Sequence, residues 1–202
     1  MNRNTTTLSA SMLRGALGFA LLGVAGFLPW AMSWTLGWGE AGMYSLCLIF
    51  FVVLSGPLLG GLMQGRGGIG KFYAVFWIAF GAYAAVWCAF WFAVPVAFRD
   101  YYGLGLGCAV FALISAWMLG GLRGWWLGAL FLIALHGLGY WLGGQAYASM
   151  RPLESLELPG GLMLNRSQCV LVAKLAWGLF YGIGFGAGMG SVFYFSQKNR
   201  YE

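Results

Sequence analysis

The sequence predicts an all-α polytopic membrane protein, a bundle of six transmembrane helices with both termini on the cytoplasmic or matrix-equivalent side. Three observations carry this. The 202 residues are 61% hydrophobic and 8% charged, far below the roughly 25% charge of a soluble domain. The apolar residues fall in six runs, each long enough to cross about 30 Å of hydrocarbon, which takes about 20 helical residues. None of the runs alternates strictly with period two, so helices rather than a barrel satisfy the backbone within lipid.

The spans are expected at 15–36, 41–64, 72–98, 101–121, 125–147 and 168–195, and together they make the whole chain one integral membrane domain. Arg3 and Arg14 precede the first run as they would in a signal peptide, but the chain after its core offers Phe27, Leu28, Pro29 and Trp30 instead of small residues. A retained first span follows. The acid-free, Ser/Thr-bearing start also fits an organellar targeting segment. Spans one and two are joined by GWGE, two and three by GRGGIGK, three and four by Arg99-Asp100, and four and five by the residues around Arg123. Connections this short make successive helices antiparallel neighbours. The long connection is the outer loop 148–167, with Pro152, Pro159 and the turn pair Gly160-Gly161. Its end, LMLNRSQCVLVAK, also reads as a short interfacial helix with Lys174 reaching toward the headgroups.

Charge placement sets the orientation. With the N terminus inside, the inner set is Arg3, Arg14, Arg66, Lys71, Arg123, Lys198 and Arg200, which is seven of the eleven basic residues. Arg99, Arg151, Arg166 and Lys174 form the outer set, beside Glu40, Asp100, Glu154 and Glu157. Seven basic residues against four follow the positive-inside rule. A bacterial inner membrane is the expected location, with an organellar inner membrane as the alternative. Arg66, Lys71 and Arg123 are placed to meet lipid phosphates. Away from the membrane edges no basic patch would suit a nucleic acid. Trp30, Trp34, Trp38, Tyr101, Tyr102 and Tyr147 near outer ends, with Tyr73, Trp125, Trp126 and Tyr194 near inner ones, read as interfacial belts.

Span six holds the most regular pattern. Gly178, Gly182, Gly186 and Gly190 are four apart and share one face, while Gly184 and Gly188 lie roughly opposite. Smooth faces of this kind let helix backbones approach in lipid, where burial gives little drive to associate. Span six is therefore expected to be gripped from two sides, within the bundle or by a partner. A weaker echo pairs Ser55, Leu59, Gly60, Gly61 and Leu62 with Ser115, Leu119, Gly120, Gly121 and Leu122, 60 residues on. As a repeat it would make two parallel copies of a hairpin, as in some transporters.

Chemistry is sparse. The single histidine, His136, lies near the middle of span five, and an ionisable group at that depth marks a functional candidate. Tyr140, Gln145 and Ser115 extend it into a candidate ligand or proton pathway. Alternatives are a neutral imidazole hydrogen-bonded to a helix carbonyl or to Ser115, and a haem or metal ligand. Haem would need a second ligand such as Met118 or Met189. No cofactor is otherwise expected. None of the five acids is near a span centre, which weakens ion-coupled pump readings. Cysteines 47, 88, 108 and 169 form no Cys-x-x-Cys pair and read as apolar filler, with a disulfide at Cys47 or Cys169 as a minor option. GRGGIG lacks the ending and the preceding strand of a phosphate loop.

The leading functional expectation is a structural or interaction subunit that packs through glycine-rich faces against a membrane protein partner or a second copy of itself. A carrier or channel for a small, weakly polar solute with His136 in its pathway is the alternative, supported by prolines 29, 57 and 95 as breaks beside a cavity. A membrane enzyme around His136, Tyr140 and the outer loop comes third.

Overall fold

A computed structural model describes residues 7–33, 37, 39–63 and 68–198. Its six long helices are α1 (Leu8–Ala31), α2 (Glu40–Leu59), α3 (Gly68–Ala93), α4 (Val96–Leu119), α5 (Trp125–Met150) and α6 (Arg166–Lys198). All six are long and apolar enough to cross a membrane. Single 3₁₀ turns, Gly60–Leu62 and Leu122–Gly124, follow α2 and α4. Arg66, Trp34 and Trp38 lie outside the described residues.

Several boundaries depart from the apolar runs, each for a local reason. The first helix begins at Leu8, seven residues early, because the Thr7 hydroxyl caps it by accepting from the Ala10 N–H at 3.2 Å. Arg99 and Asp100, expected as a turn, lie inside the start of α4. The chain turns instead at Val94 and Pro95, where the proline ring holds φ at −55° and opens the helix. The loop 148–167 is largely ordered. Its α5 end is helical to Met150, and β1 (Ser155–Leu158) pairs antiparallel with β2 (Leu162–Asn165). The hairpin turns through Gly160 and Gly161 at φ 98° and 80°, conformations that side chains disfavour. No separate interfacial helix forms from LMLNRSQCVLVAK. Leu162–Asn165 is strand, and α6 starts directly at Arg166. Asn165 and Gln168 cap it reciprocally: the Gln168 N–H donates to Asn165 Oδ1 at 3.0 Å and the Asn165 N–H to Gln168 Oε1 at 2.9 Å.

At 33 residues and 1.5 Å per residue, α6 is about 50 Å long, and it is the axis of the bundle. The ladder of Gly178, Gly182, Gly186 and Gly190 faces α1, where a methyl group on each would overlap Gly23, Phe19, Gly15 and Ser11 in turn. Gly184 and Gly188 face α5 and meet Gly139 and Leu132. Both matches run antiparallel, so Leu8 and Lys198 share one end of the molecule. The two 3₁₀ turns are there too: a methyl on Gly121 would overlap the Ser196 carbonyl, and Gln197 Nε2 donates to the Leu62 carbonyl at 3.0 Å. Ser11 Oγ adds a buried hydrogen bond to the Gly190 carbonyl at 2.8 Å.

Outside this slab, α4 packs on α3 and α5, while α2 lies along α1. Phe19, Phe72, Phe76, Phe111, Phe185 and Phe193 are fully buried. Leu13, Leu17 and Leu21 on α1 and Leu48, Ile49 and Val53 on α2 are more than half exposed, the outside that lipid solvates. The two echoed segments both end in a 3₁₀ turn or lead to one, with Ser55 and Ser115 both fully buried. Their glycines differ, Gly60 being right-handed at φ −57° and Gly120 left-handed at φ 76°.

Candidate functional site

Helices α2 and α3 meet near their shared turn and diverge beyond it. A methyl on Gly56 would overlap the Tyr73 ring, whose hydroxyl donates to the Val53 carbonyl at 3.2 Å. One turn further along α2, Phe51 stacks against Phe80 with ring centroids 6.2 Å apart. Past that contact a cleft of about 640 Å³ separates the two helices, with Tyr44 and Cys47 on the α2 wall and Trp87 and Cys88 on the α3 wall. Its back is built by α1, α5 and α6 through Phe27, Trp30, Tyr140, Trp177 and Tyr181. The lining is aromatic, carries no charged side chain among the described residues, and offers polar groups chiefly as tyrosine hydroxyls. Pockets of this size and character hold small molecules.

His136 lies directly behind that lining. It is fully buried, and its Nε2 is 2.9 Å from the hydroxyl of Tyr83, which does line the cleft. The rings of Tyr181 and Phe185 stand edge-on to it at 4.9 and 5.1 Å. Among the described residues Nδ1 has no hydrogen-bond partner. A neutral imidazole carries one N–H and one bare nitrogen, so either the donor or the acceptor on the Nδ1 side is left unmade, at a cost of about 1–3 kcal/mol.

The candidate residues thus separate. Tyr140 joins the site: its ring is 5.4 Å from Trp87, 6.0 Å from Trp177 and 6.4 Å from His136. Its hydroxyl also lies close enough to Asp100 to interact with it. Gln145 does not join. Nine residues are about two and a half helical turns, which puts Gln145 on the far side of α5 from His136, where it is exposed. Ser115 is fully buried, but the histidine's hydrogen bond goes to Tyr83, and among the described residues Ser115 Oγ has no partner. Neither Met118 nor Met189 lines the cleft, and Nε2 is committed to Tyr83. Among the described residues no three His, Cys, Asp or Glu side chains gather as a metal site would require. All four cysteines are free thiols. The packing glycines sit inside the bundle, and none of them is among the residues that line the cleft. Lys71 lies in the first turn of α3 and Arg123 in the α4–α5 turn, both at the end that carries Leu8 and Lys198.

Sequence reasoning missed Tyr83, Trp87, Trp177 and Tyr181. Their signal was present as aromatic stripes at helical spacing, Phe76, Phe80, Tyr83 and Trp87 on α3 and Trp177, Tyr181 and Phe185 on α6. What one helix cannot reveal is that both stripes converge on the same histidine.

At the end away from Leu8 and Lys198, the α1, α5 and α6 side of the cleft is roofed. Trp30, Tyr147 and Trp177 pack mutually at centroid distances of 5.3 to 6.2 Å. Lys174 Nζ donates to the Trp30 carbonyl at 2.9 Å and sits 4.6 Å from its ring. Arg99 and Asp100, 3.6 Å apart, are part-buried, and Arg99 stacks on Trp91 at 3.6 Å.

No protein-family model, curated protein or solved structure matches this chain.

Proposed function

We propose that this is a multi-pass membrane protein that binds a small, weakly polar solute in the aromatic cleft and carries it within or across the bilayer. One observation supports this above the rest: an uncharged, aromatic-walled cleft of about 640 Å³ whose lining tyrosine, Tyr83, is hydrogen-bonded to the one buried histidine. A buried polar pair inside an apolar bundle costs stability, and such groups at membrane depth usually serve a ligand pathway. His136 acts from behind, holding the Tyr83 hydroxyl in place for a solute instead of touching it. Native mass spectrometry of protein extracted in mild detergent tests the reading. Wild type retains a small uncharged molecule, and Ala84→Trp, which fills the cleft from α3, loses it. A wild type and a variant with the same empty mass would count against it.

The proposed orientation puts the end with Leu8, Lys71, Arg123 and Lys198 in the cytoplasm of a bacterial inner membrane, on the positive-inside rule. An active periplasmic phosphatase fused after Glu202 would reverse it. A second proposal, a subunit of a larger membrane complex, now draws on different residues. The glycines that first suggested it are occupied by α1 and α5, whereas Gly137 and Gly144 on α5 face open space. A single monomer mass in native electrophoresis would remove that reading.

A further inference from the structure

We infer that the cleft is reached sideways from lipid, through the gap between α2 and α3, and that its occupant is an uncharged, flat, lipid-soluble molecule with one polar edge. This rests on the binding role proposed above and adds the route and the class of ligand.

The route follows from what is closed and what is open. The aqueous end on the α1, α5 and α6 side is covered by the Trp30, Tyr147 and Trp177 stack, pinned by Lys174. The opposite end is shut where Phe51 meets Phe80 and Gly56 meets Tyr73. Between α2 and α3 the walls carry Tyr44, which is 63% exposed, and Cys88, also exposed. Both helices present apolar residues to their surroundings, such as Leu48 and Ile78. In a bilayer this opening faces acyl chains.

The ligand class follows from the lining. With no charged side chain present, an ionic ligand would be desolvated without compensation. Aromatic walls favour a flat molecule by stacking. Hydroxyls of Tyr44, Tyr83, Tyr140 and Tyr181 both donate and accept, which matches a carbonyl or phenol edge.

The test uses the full chain in phospholipid nanodiscs, with tryptophan quenching followed by stopped flow. Two flat probes are compared: 2,3-dimethyl-1,4-naphthoquinone, uncharged and blocked where thiols attack, and anthraquinone-2-sulfonate, charged and water-soluble. The uncharged probe is expected to quench saturably and the sulfonate not to. Its on-rate should follow the amount of probe per lipid and not per volume, and Cys88→Trp, which narrows the gap, should slow it about tenfold, the effect of a 1.4 kcal/mol barrier. Lys174→Met, which loosens the roof, should leave the rate unchanged. An on-rate that follows aqueous concentration, rises in Lys174→Met and ignores Cys88→Trp overturns lateral access while keeping a binding protein. Equal binding of the sulfonate overturns the ligand class. Absence of saturable quenching by either probe removes the binding role itself and this inference with it.

Discussion

The α1–α6–α5 slab and the α2–α3 pair are built from the same apolar alphabet and end up as opposites. In the slab, glycine removes side chains where two helices cross, so that backbone carbonyls of Ser11, Gly15, Phe19 and Leu135 lie against the α6 backbone. In the pair, tyrosine, tryptophan and phenylalanine line an open space past the contact of Phe51 with Phe80. Close packing is a main driver of helix association in lipid, so side-chain size goes far to decide which helices lock and which leave room. A frame and a cavity follow from one rule applied to different residues.

The comparison breaks most visibly at Gly186. Leucine there has to occupy the space of the Gly15 carbonyl and the Phe19 side chain, and backbone cannot yield as a side-chain tip can. Gly186→Leu should cost about 3 kcal/mol or more, read as thermal stability in detergent. Wild-type melting in that variant would dissolve the contrast. Next comes the hydrogen-bonded pair of Tyr83 and His136. Tyr83→Phe and His136→Leu each strand a buried partner and should cost about 1–3 kcal/mol. The double variant should cost less than their sum by about 0.5 kcal/mol or more, whereas strict additivity would mean that the 2.9 Å contact carries no coupling. Ser11→Ala removes one interhelical hydrogen bond to Gly190 and should cost about 0.6 kcal/mol, the average for such bonds in membranes. A change of similar size has the opposite sign. A methyl at Gly81 meets nothing within 4 Å, so Gly81→Ala should stabilise by about 0.5–1 kcal/mol, and a marked loss would place an unrecognised neighbour on that face of α3.

The frame was far more legible in the sequence than the site. Six helices follow from run length, and the two faces of α6 follow from spacing within one segment, because a helix fixes which of its own residues share a face. The small residues that receive them, Gly15 and Gly23 on α1 and Gly139 on α5, are scattered among ordinary apolar neighbours and stand out only once the register between helices is known. His136 was visible as a lone imidazole, but its partner is 53 residues away on α3, a distance no periodicity spans. Gln145 misled because polarity drew attention where the helical angle should have ruled it out. The turn at Val94-Pro95 was hidden by the charged pair just after it, which looked more like a loop than the proline did.

Thiol chemistry tests the central claim most directly, since Cys47 lines the cleft while Cys108 and Cys169 are buried elsewhere. In a Cys88→Ser background, the rate at which N-ethylmaleimide modifies Cys47 is measured with and without 2,3-dimethyl-1,4-naphthoquinone. A cleft that holds such a molecule gives strong protection, abolished when Ala84→Trp fills the same space. Undiminished labelling of Cys47 at high probe, in protein that remains folded, would contradict a ligand site between α2 and α3.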